Sequence, residues 1–527
     1  MRYITSADLQ ALLREGKKEL VLGEQDKLTD VVREMLRHYG IRIVHTGTTS
    51  TVGSGPQAAV FAPPVSACAQ GLDISTFVET GNGLDYDLAI INGIVVLPES
   101  GRVETNICIR NGKIAALTLE HPSARQVIDA RGRYVFPGII DPHTHLGLYA
   151  PLETELETET RSALLGGVTT IGTFFNHEGS YLPTISLLER VVPQYSRIDI
   201  IPHFTLRDEK QLQELPLYAG RGMNSFKVYM CGVRGLYPHQ DDGFILAAME
   251  KLRELPSDPV LCIHAENTFI VDRATQSLES QPMNNLEQWR RMHPNIAEGE
   301  AVLRSAYFSG KTGVRTYVVH QSCKESMEVL ERAKHERFYA ETTSPYLTRD
   351  TSSKVGAYGK MLPPFREPES RLALWDGIRK GLIDTIGTDN VTMTAAEKKA
   401  GQGMANADAG YPALGTHLAS VLNEGFFCQE ISLEKLIPLM TMNPAKIFGV
   451  YPKKGTLLPG ADADIVIVDM ETPRRVDPRT LCSRSDFSLF QGEELRGWPV
   501  CTIKSGWVAA VNGQVVQDEL RGVMLQH

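Results

Sequence analysis

Between residues 139 and 450 short apolar runs alternate with helical stretches, and that alternation constrains the fold more than any other feature. The runs at 168–174, 225–229, 260–264, 316–320 and 385–389 have the length and β-branched content of buried strands. Strand and helix signals in alternation argue a parallel sheet with helices outside it. About 310 residues suit a (β/α)8 barrel with long loops. A doubly wound open sheet is the rival on pattern alone.

The polar residues fall where such a barrel would use them. His143 and His145 follow an apolar run, Lys227 interrupts one, and His264, His320 and Asp389 each end one. Catalytic groups of a barrel come from the C-terminal ends of several strands, so these side chains would converge on one mouth. Two His one residue apart point to the same side of an extended segment and can share an ion. Imidazole and carboxylate suit zinc or a similar divalent metal, and Asp389 can ligate it or accept a proton. Each residue alone has an ordinary reading: a strand-end His is usually a hydrogen-bonded residue, and a Lys in a strand usually means a misplaced strand. The set as a whole points to a metal site.

Around this region the chain is organised in blocks. Residues 1–45 read as a small α-β-α-β unit, with Thr5 or Ser6 and Thr29 as helix caps, and strands at 19–22 and 41–44. Residues 46–84 carry no Lys or Arg and are rich in Gly, Ser, Thr, Ala and Pro, the composition of a linker. Residues 85–138 and 451–527 are β-rich, with Asn-Gly hairpin signals at Asn92-Gly93 and Asn111-Gly112. These two flanks are expected to pair into one small β domain, leaving 139–450 as the barrel.

Composition excludes several classes. A formal charge of −9, with no basic run, argues against nucleic acid or anionic membrane as a partner. No stretch approaches a membrane span and the N-terminus lacks a signal-peptide core, so a cytoplasmic enzyme is expected. The 8 Cys include no CxxC pair, which argues buried free thiols over disulfides or a thiolate zinc site.

The segments PGIIDPHTHL, SFKVYM, CIHAEN, VVHQSCKE, IGTDN and NPAKIFGVYPKKGTLLPGADADIVIVD resemble, in order, the motifs of dihydropyrimidinases and hydantoinases in the amidohydrolase superfamily. The resemblance runs from about Tyr86 to the C-terminus. It implies a TIM-type barrel with a small β-sandwich, and a cyclic amide or ureide as substrate. It implies two divalent ions, zinc by default. His143, His145 and Asp389 would hold one and His264 and His320 the other, with Lys227, carboxylated by CO2, bridging them. A metal-bridging hydroxide would attack the ring carbonyl, with Asp389 as the catalytic proton carrier. The resemblance also implies a homotetramer or dimer assembled through the C-terminal segment. Other C–N bonds (allantoin, a purine, a linear amide) and a non-catalytic assembly role are the alternatives.

Three departures surround the substrate. Relatives have a Tyr oxyanion donor five residues after the Lys, where this chain has Gly232. They have His after the Asp, where this chain has Asn390, and the segment 410–415 follows them loosely. Dihydroorotases carry an Arg where Gly147 stands, which disfavours dihydroorotate. His177, Tyr181 and Leu362 are the candidate substrate contacts, the first two as replacements for the missing donor. Residues 1–45 resemble short N-terminal segments on proteins linked to bacterial microcompartments. That implies a tether to a shell or other protein partner, an appendage or oligomer contact being the alternative.

Overall fold

Eight parallel strands close into a barrel in the computed structural model: β1 (Ile139–His145), β2 (Val168–Phe175), β3 (Asp199–Thr205), β4 (Ser225–Tyr229), β5 (Val260–His264), β6 (Arg315–Val318), β7 (Phe338–Thr343) and β8. The last is split into Thr385–Gly387 and Asn390–Val391. Its first piece pairs with β7 (Thr343 opposite Gly387) and its second with β1 (Thr144 opposite Asn390), which completes the ring. The structure describes residues 86–233 and 237–526, together with four short strands nearer the N-terminus.

Helices join the strands and cover the barrel. Their starts are written in the sequence: Asp208 caps Glu209–Gly220 through the Gln211 amide, and Asp241 caps Asp242–Arg253 through that of Phe244. Gly313 and Gly381 end Asn295–Thr312 and Pro368–Lys380 in the left-handed conformation. Leu156, Leu164, Ile185, Leu188, Val191 and Val192 pack the first two helices onto the outer face of the sheet.

Alternation along the strands sorts residues between two cores. On β4 Phe226 and Val228, and on β5 Leu261 and Ile263, belong to the outer core. Val260, Cys262 and Ile201 belong to the barrel interior, with Ile447, Phe448 and Leu525 beneath them. Lys227 and His264 therefore inherit the interior by parity.

The flanks of the barrel build one β-sandwich. A seven-stranded sheet joins 94–97, 101–104 and 134–137 to 465–469, 498–504, 507–511 and 514–515, and a four-stranded sheet holds 86–91, 106–110, 113–118 and 124–129. Leu88, Ile90, Val95, Ile107, Ile109, Val135, Ile465, Ile467, Val500 and Ile503 fill the space between. The hairpin at Asn111-Gly112 forms as expected, with Arg110 opposite Lys113 and φ of 52° and 74° in the turn. The hairpin expected at Asn92-Gly93 does not. Strand 86–91 pairs with 124–129 and 106–110, whereas 94–97 pairs with 134–137 and 101–104, so the chain crosses from one sheet to the other there. Gly93 serves packing: a Cβ on it would lie 2.6 Å from Val135 Cγ2.

Near the N-terminus Arg2–Ile4 pairs with Asp26–Leu28 and Glu19–Leu22 with Arg42–His45, both parallel. The helix caps expected at Thr5, Ser6 and Thr29 and the linker at 46–84 lie outside the described residues. Cys108, Cys231, Cys262, Cys323 and Cys501 are buried free thiols, but Cys428 and Cys482 are exposed, against the expectation of burial. No helix among the described residues is long and apolar enough to cross a membrane.

Candidate metal centre

The C-terminal ends of β1, β4, β5 and β8, with the residue two beyond β6, deliver six side chains to one place. His143, Lys227, His264, His320 and Asp389 are each at most 3% exposed. His143 Nε2 lies 3.2 Å and His145 Nε2 3.1 Å from Asp389 Oδ1. Lys227 Nζ stands 3.3 Å from His143 Nε2. His264 Nδ1 and His320 Nε2 approach to 2.9 Å. Ligand atoms of His143, His145 and Asp389 all lie within 4.8 Å of one another, a candidate divalent-metal group.

Two of the rings are oriented from behind. His143 Nδ1 faces Glu341 Oε2 at 2.8 Å, leaving Nε2 toward Lys227 and Asp389. His264 Nε2 faces Glu266 Oε2 at 3.0 Å, leaving Nδ1 toward His320. A carboxylate that holds the distal N–H of an imidazole fixes its tautomer and raises its basicity as a ligand. Asp141 Oδ1 accepts from the amides of His143 (3.1 Å) and Thr388 (3.0 Å), tying β1 to the break in β8. The backbone is strained at two of the site residues: His320 has φ 43° and Asp389 φ 54°, left-handed values that cost a residue with a Cβ about 1–2 kcal/mol.

Electrostatics favour neutral imidazoles. Burial pushes His143, His145 and His320 below the ordinary imidazole range. It also pushes the Lys227 ammonium down, against the pull of Asp389. Burial alone would raise Asp389, but His143, His145 and Lys227 outweigh it and hold the carboxyl below its usual range. The rings of Phe174 and Tyr229 flank Lys227 Nζ at 4.1 and 4.8 Å.

The model of the amidohydrolase family matches residues 235–509, just over half of the chain. An L-hydantoinase of Paenarthrobacter aurescens is 30% identical over 447 residues, covering 82% of this chain and 96% of the relative. A D-hydantoinase of Geobacillus stearothermophilus is 30% identical, with 79% and 91% covered. The chain belongs to the amidohydrolase family, among its hydantoinase-like members. Among solved structures, the L-hydantoinase (dihydropyrimidinase) of Arthrobacter aurescens superimposes on this amidohydrolase with a TM-score of 0.79. It is 28% identical, with 84% of this chain and 100% of that one covered. The D-hydantoinase of a Thermus species gives 0.77 at 29% identity, covering 84% and 99%.

Two of the candidate substrate contacts lie in or beside the loop after β2. Tyr181 is wholly buried, and its hydroxyl donates to backbone carbonyls, the nearest being Thr205 O at 2.7 Å. His177 spends Nε2 on Thr184 Oγ1 (2.8 Å) and Nδ1 on the Glu178 carbonyl (2.9 Å). Both residues brace the loop after β2. Leu362 is half-buried in the loop that precedes helix 368–380.

The departures have local causes. A Cβ on Gly232 would sit 2.5 Å from Tyr237 O and 2.9 Å from His239 N, so the loop's own backbone excludes a side chain there. Asn390 Oδ1 accepts from the amides of Ala413 (2.8 Å) and Leu414 (3.3 Å), which ties the divergent segment 410–415 to β8 beside Asp389. The sequence reading missed Glu341, Asp141 and Glu266. Their signal was present: each is an acid within or beside an apolar strand, at zero exposure.

Proposed function

We propose that this amidohydrolase opens a ring by hydrolysing a cyclic amide or ureide bond, with two divalent ions, zinc by default, and a carboxylated Lys227. The observation that carries the reading is the pair of bare imidazole faces on either side of Lys227. His143 Nε2 is 3.3 Å from Nζ, and His264 Nδ1 and His320 Nε2 meet at 2.9 Å. Two ring nitrogens that close, with the outer nitrogen of His264 held by Glu266 as that of His143 is by Glu341, suit a cation between them. His143, His145 and Asp389 would hold one ion and His264 and His320 the other. The ions, when bound, acidify water and polarise the substrate carbonyl.

The chain's own residues supply the rest. Burial favours the uncharged amine of Lys227, the form that adds to CO2 with loss of one proton, and the resulting carbamate is an anionic oxygen ligand. Asp389, on a strained residue at the break in β8, would take a proton from water and return it to the leaving ring nitrogen. The hydantoinases that align with most of the chain support a ring as the substrate.

The test is ring opening of dihydrouracil, hydantoin, allantoin, other cyclic ureides and imides, and xanthine, by protein prepared with zinc and bicarbonate. Turnover of one ring, abolished in Asp389→Ala, is the expected result. No turnover from protein that holds its metals would refute the reading. A homotetramer or dimer is proposed as well. Ile296, Leu303 and Tyr307 are exposed at helical spacing along helix 295–312, an apolar stripe that self-association would cover. The C-terminal segment packs first on its own chain, with Phe487, Leu489, Phe490 and Trp498 buried. A cytoplasmic location and a shell or protein partner for residues 1–45 belong to the same proposal.

A further inference from the structure

The ladder of β3 runs one residue beyond Thr205, with the Leu206 amide donating to the Lys227 carbonyl at 2.7 Å. Along this run Ile200, Phe204 and Leu206 face the outer core and Ile201 the interior. Arg207 comes next and leaves on the interior side, at the barrel end that carries Lys227, His264 and Asp389.

Its guanidinium is unusual for that position. The Arg207 side chain is 3% exposed. Nη2 donates to Glu178 Oε1 at 3.0 Å, a carboxylate that is itself 55% exposed. Nε and Nη1 are buried and find no acceptor among the described residues. A buried cation with two nitrogens unmet is expensive, and such groups are rare unless a ligand completes them. The adjoining surface is aromatic. The Tyr229 ring lies 5.3 Å from that of His264 and 5.4 Å from that of Tyr237. Thr205 stands opposite Lys227 in the ladder, so two residues on Arg207 comes level with Tyr229.

Resting on the ring-opening reading above, we propose that Arg207 anchors a carboxylate carried by the substrate, so that the ring opened is a cyclic amide or ureide with an acidic substituent. An arginine is suited to this because its several N–H groups match carboxylate oxygens in a dry site. Gly147 leaves no cation at the corresponding place after β1, and Arg207 supplies one from β3. The aromatic wall would hold the uncharged face of the ring.

The experiment compares matched substrates on the zinc- and bicarbonate-loaded enzyme: dihydrouracil against its 6-carboxylate, and hydantoin against hydantoin-5-acetate. The carboxylated member of at least one pair is expected to have the higher kcat/KM by tenfold or more, mainly through KM. Arg207→Gln is expected to cut kcat/KM for that member at least 30-fold more than for its uncharged partner, at wild-type zinc content. Calorimetric titration of the same carboxylated rings into Asp389→Asn separates binding from turnover. Binding that Arg207→Gln abolishes, without turnover of any ring by wild type, would uphold the anion site and overturn the ring-opening reading. Equal kcat/KM within both pairs for wild type, or no binding of the carboxylated rings, would overturn the Arg207 proposal whatever the variant does.

Discussion

If the centre holds the two proposed ions, replacing Glu266 by Gln should loosen one and leave the other in place. Glu266 divides its oxygens between two rings, with Oε2 at 3.0 Å from His264 Nε2 and Oε1 at 3.1 Å from His293 Nδ1, and the Arg366 guanidinium 3.7 Å away. Burial works against the charge, but His293 and His264 outweigh it and hold the carboxyl well below its ordinary range. Glu266→Gln keeps the volume and removes the charge-assisted bond to His264, worth about 1.5–3 kcal/mol. At about 1.4 kcal/mol per tenfold, the ion on His264 and His320 should weaken roughly 10–100-fold. Glu341 provides the contrast, because its Oε2 accepts from His143 Nδ1 (2.8 Å) and from the His320 amide (2.9 Å) and so serves both ligand groups. Competition with a chromogenic zinc chelator, read as zinc per chain, separates the two. Glu266→Gln is expected to surrender one zinc at a chelator level that wild type resists, and Glu341→Gln both. If Glu266→Gln kept both ions within threefold of wild type, or lost both together while still folded, the reasoning about its oxygens would be wrong.

Three other outcomes follow from the packing. Asp199 is buried against Lys504 and Lys454, which overcome the burial cost and lower its carboxyl to about 2. Its contribution, about 2 kcal/mol, is present above the unfolded pKa near 4 and is lost as pH falls through about 2, so acid melting curves of wild type should steepen there and those of Asp199→Asn should not. Gly232→Ala must push the backbone at Tyr237 and His239, at a cost of about 1–3 kcal/mol; limited proteolysis should cut the 231–240 loop faster, and unchanged cleavage would count against the contact. Asn390→Ala strands the amides of Ala413 and Leu414, a penalty of about 1–3 kcal/mol per buried group; hydrogen exchange at 410–416 should rise at least tenfold, and unaltered protection would refute the tie.

The barrel was legible because its strands obey two rules at once, apolar content and a polar residue at one end. Lys227 stood out as an ammonium between Phe226 and Val228, although a misplaced strand is the ordinary reading of such a residue. The positioning acids were harder to see. Glu341 acts on a residue far along the chain, and no local spacing announces a partner 198 positions off, as His143 is from Glu341; Glu266 sits only two residues after His264, and its carboxylate was passed over in favour of the imidazoles. The turn at Asn92 misled for a related reason: turn residues fix a bend, but which sheet each arm joins depends on strands 134–137 and 124–129, further along the chain. His177 and Tyr181 were chosen by position in a loop, and pattern alone could not foresee that they also bond to Thr184 Oγ1 and to the Thr205 carbonyl.

Strand 134–137 finds its antiparallel partner only in 465–469. On a ribosome adding roughly 5–20 residues per second, that edge waits on the order of 15–60 s for its mate. Its other neighbour, 94–97, is synthesised long before, so a nascent chain that pairs the two is expected to carry a half-built sheet with an open rim. Such rims recruit strands from neighbouring polypeptides. Production of this protein is therefore expected to depend on chaperone supply and translation speed, and ribosome stalling before residue 465 to yield aggregates.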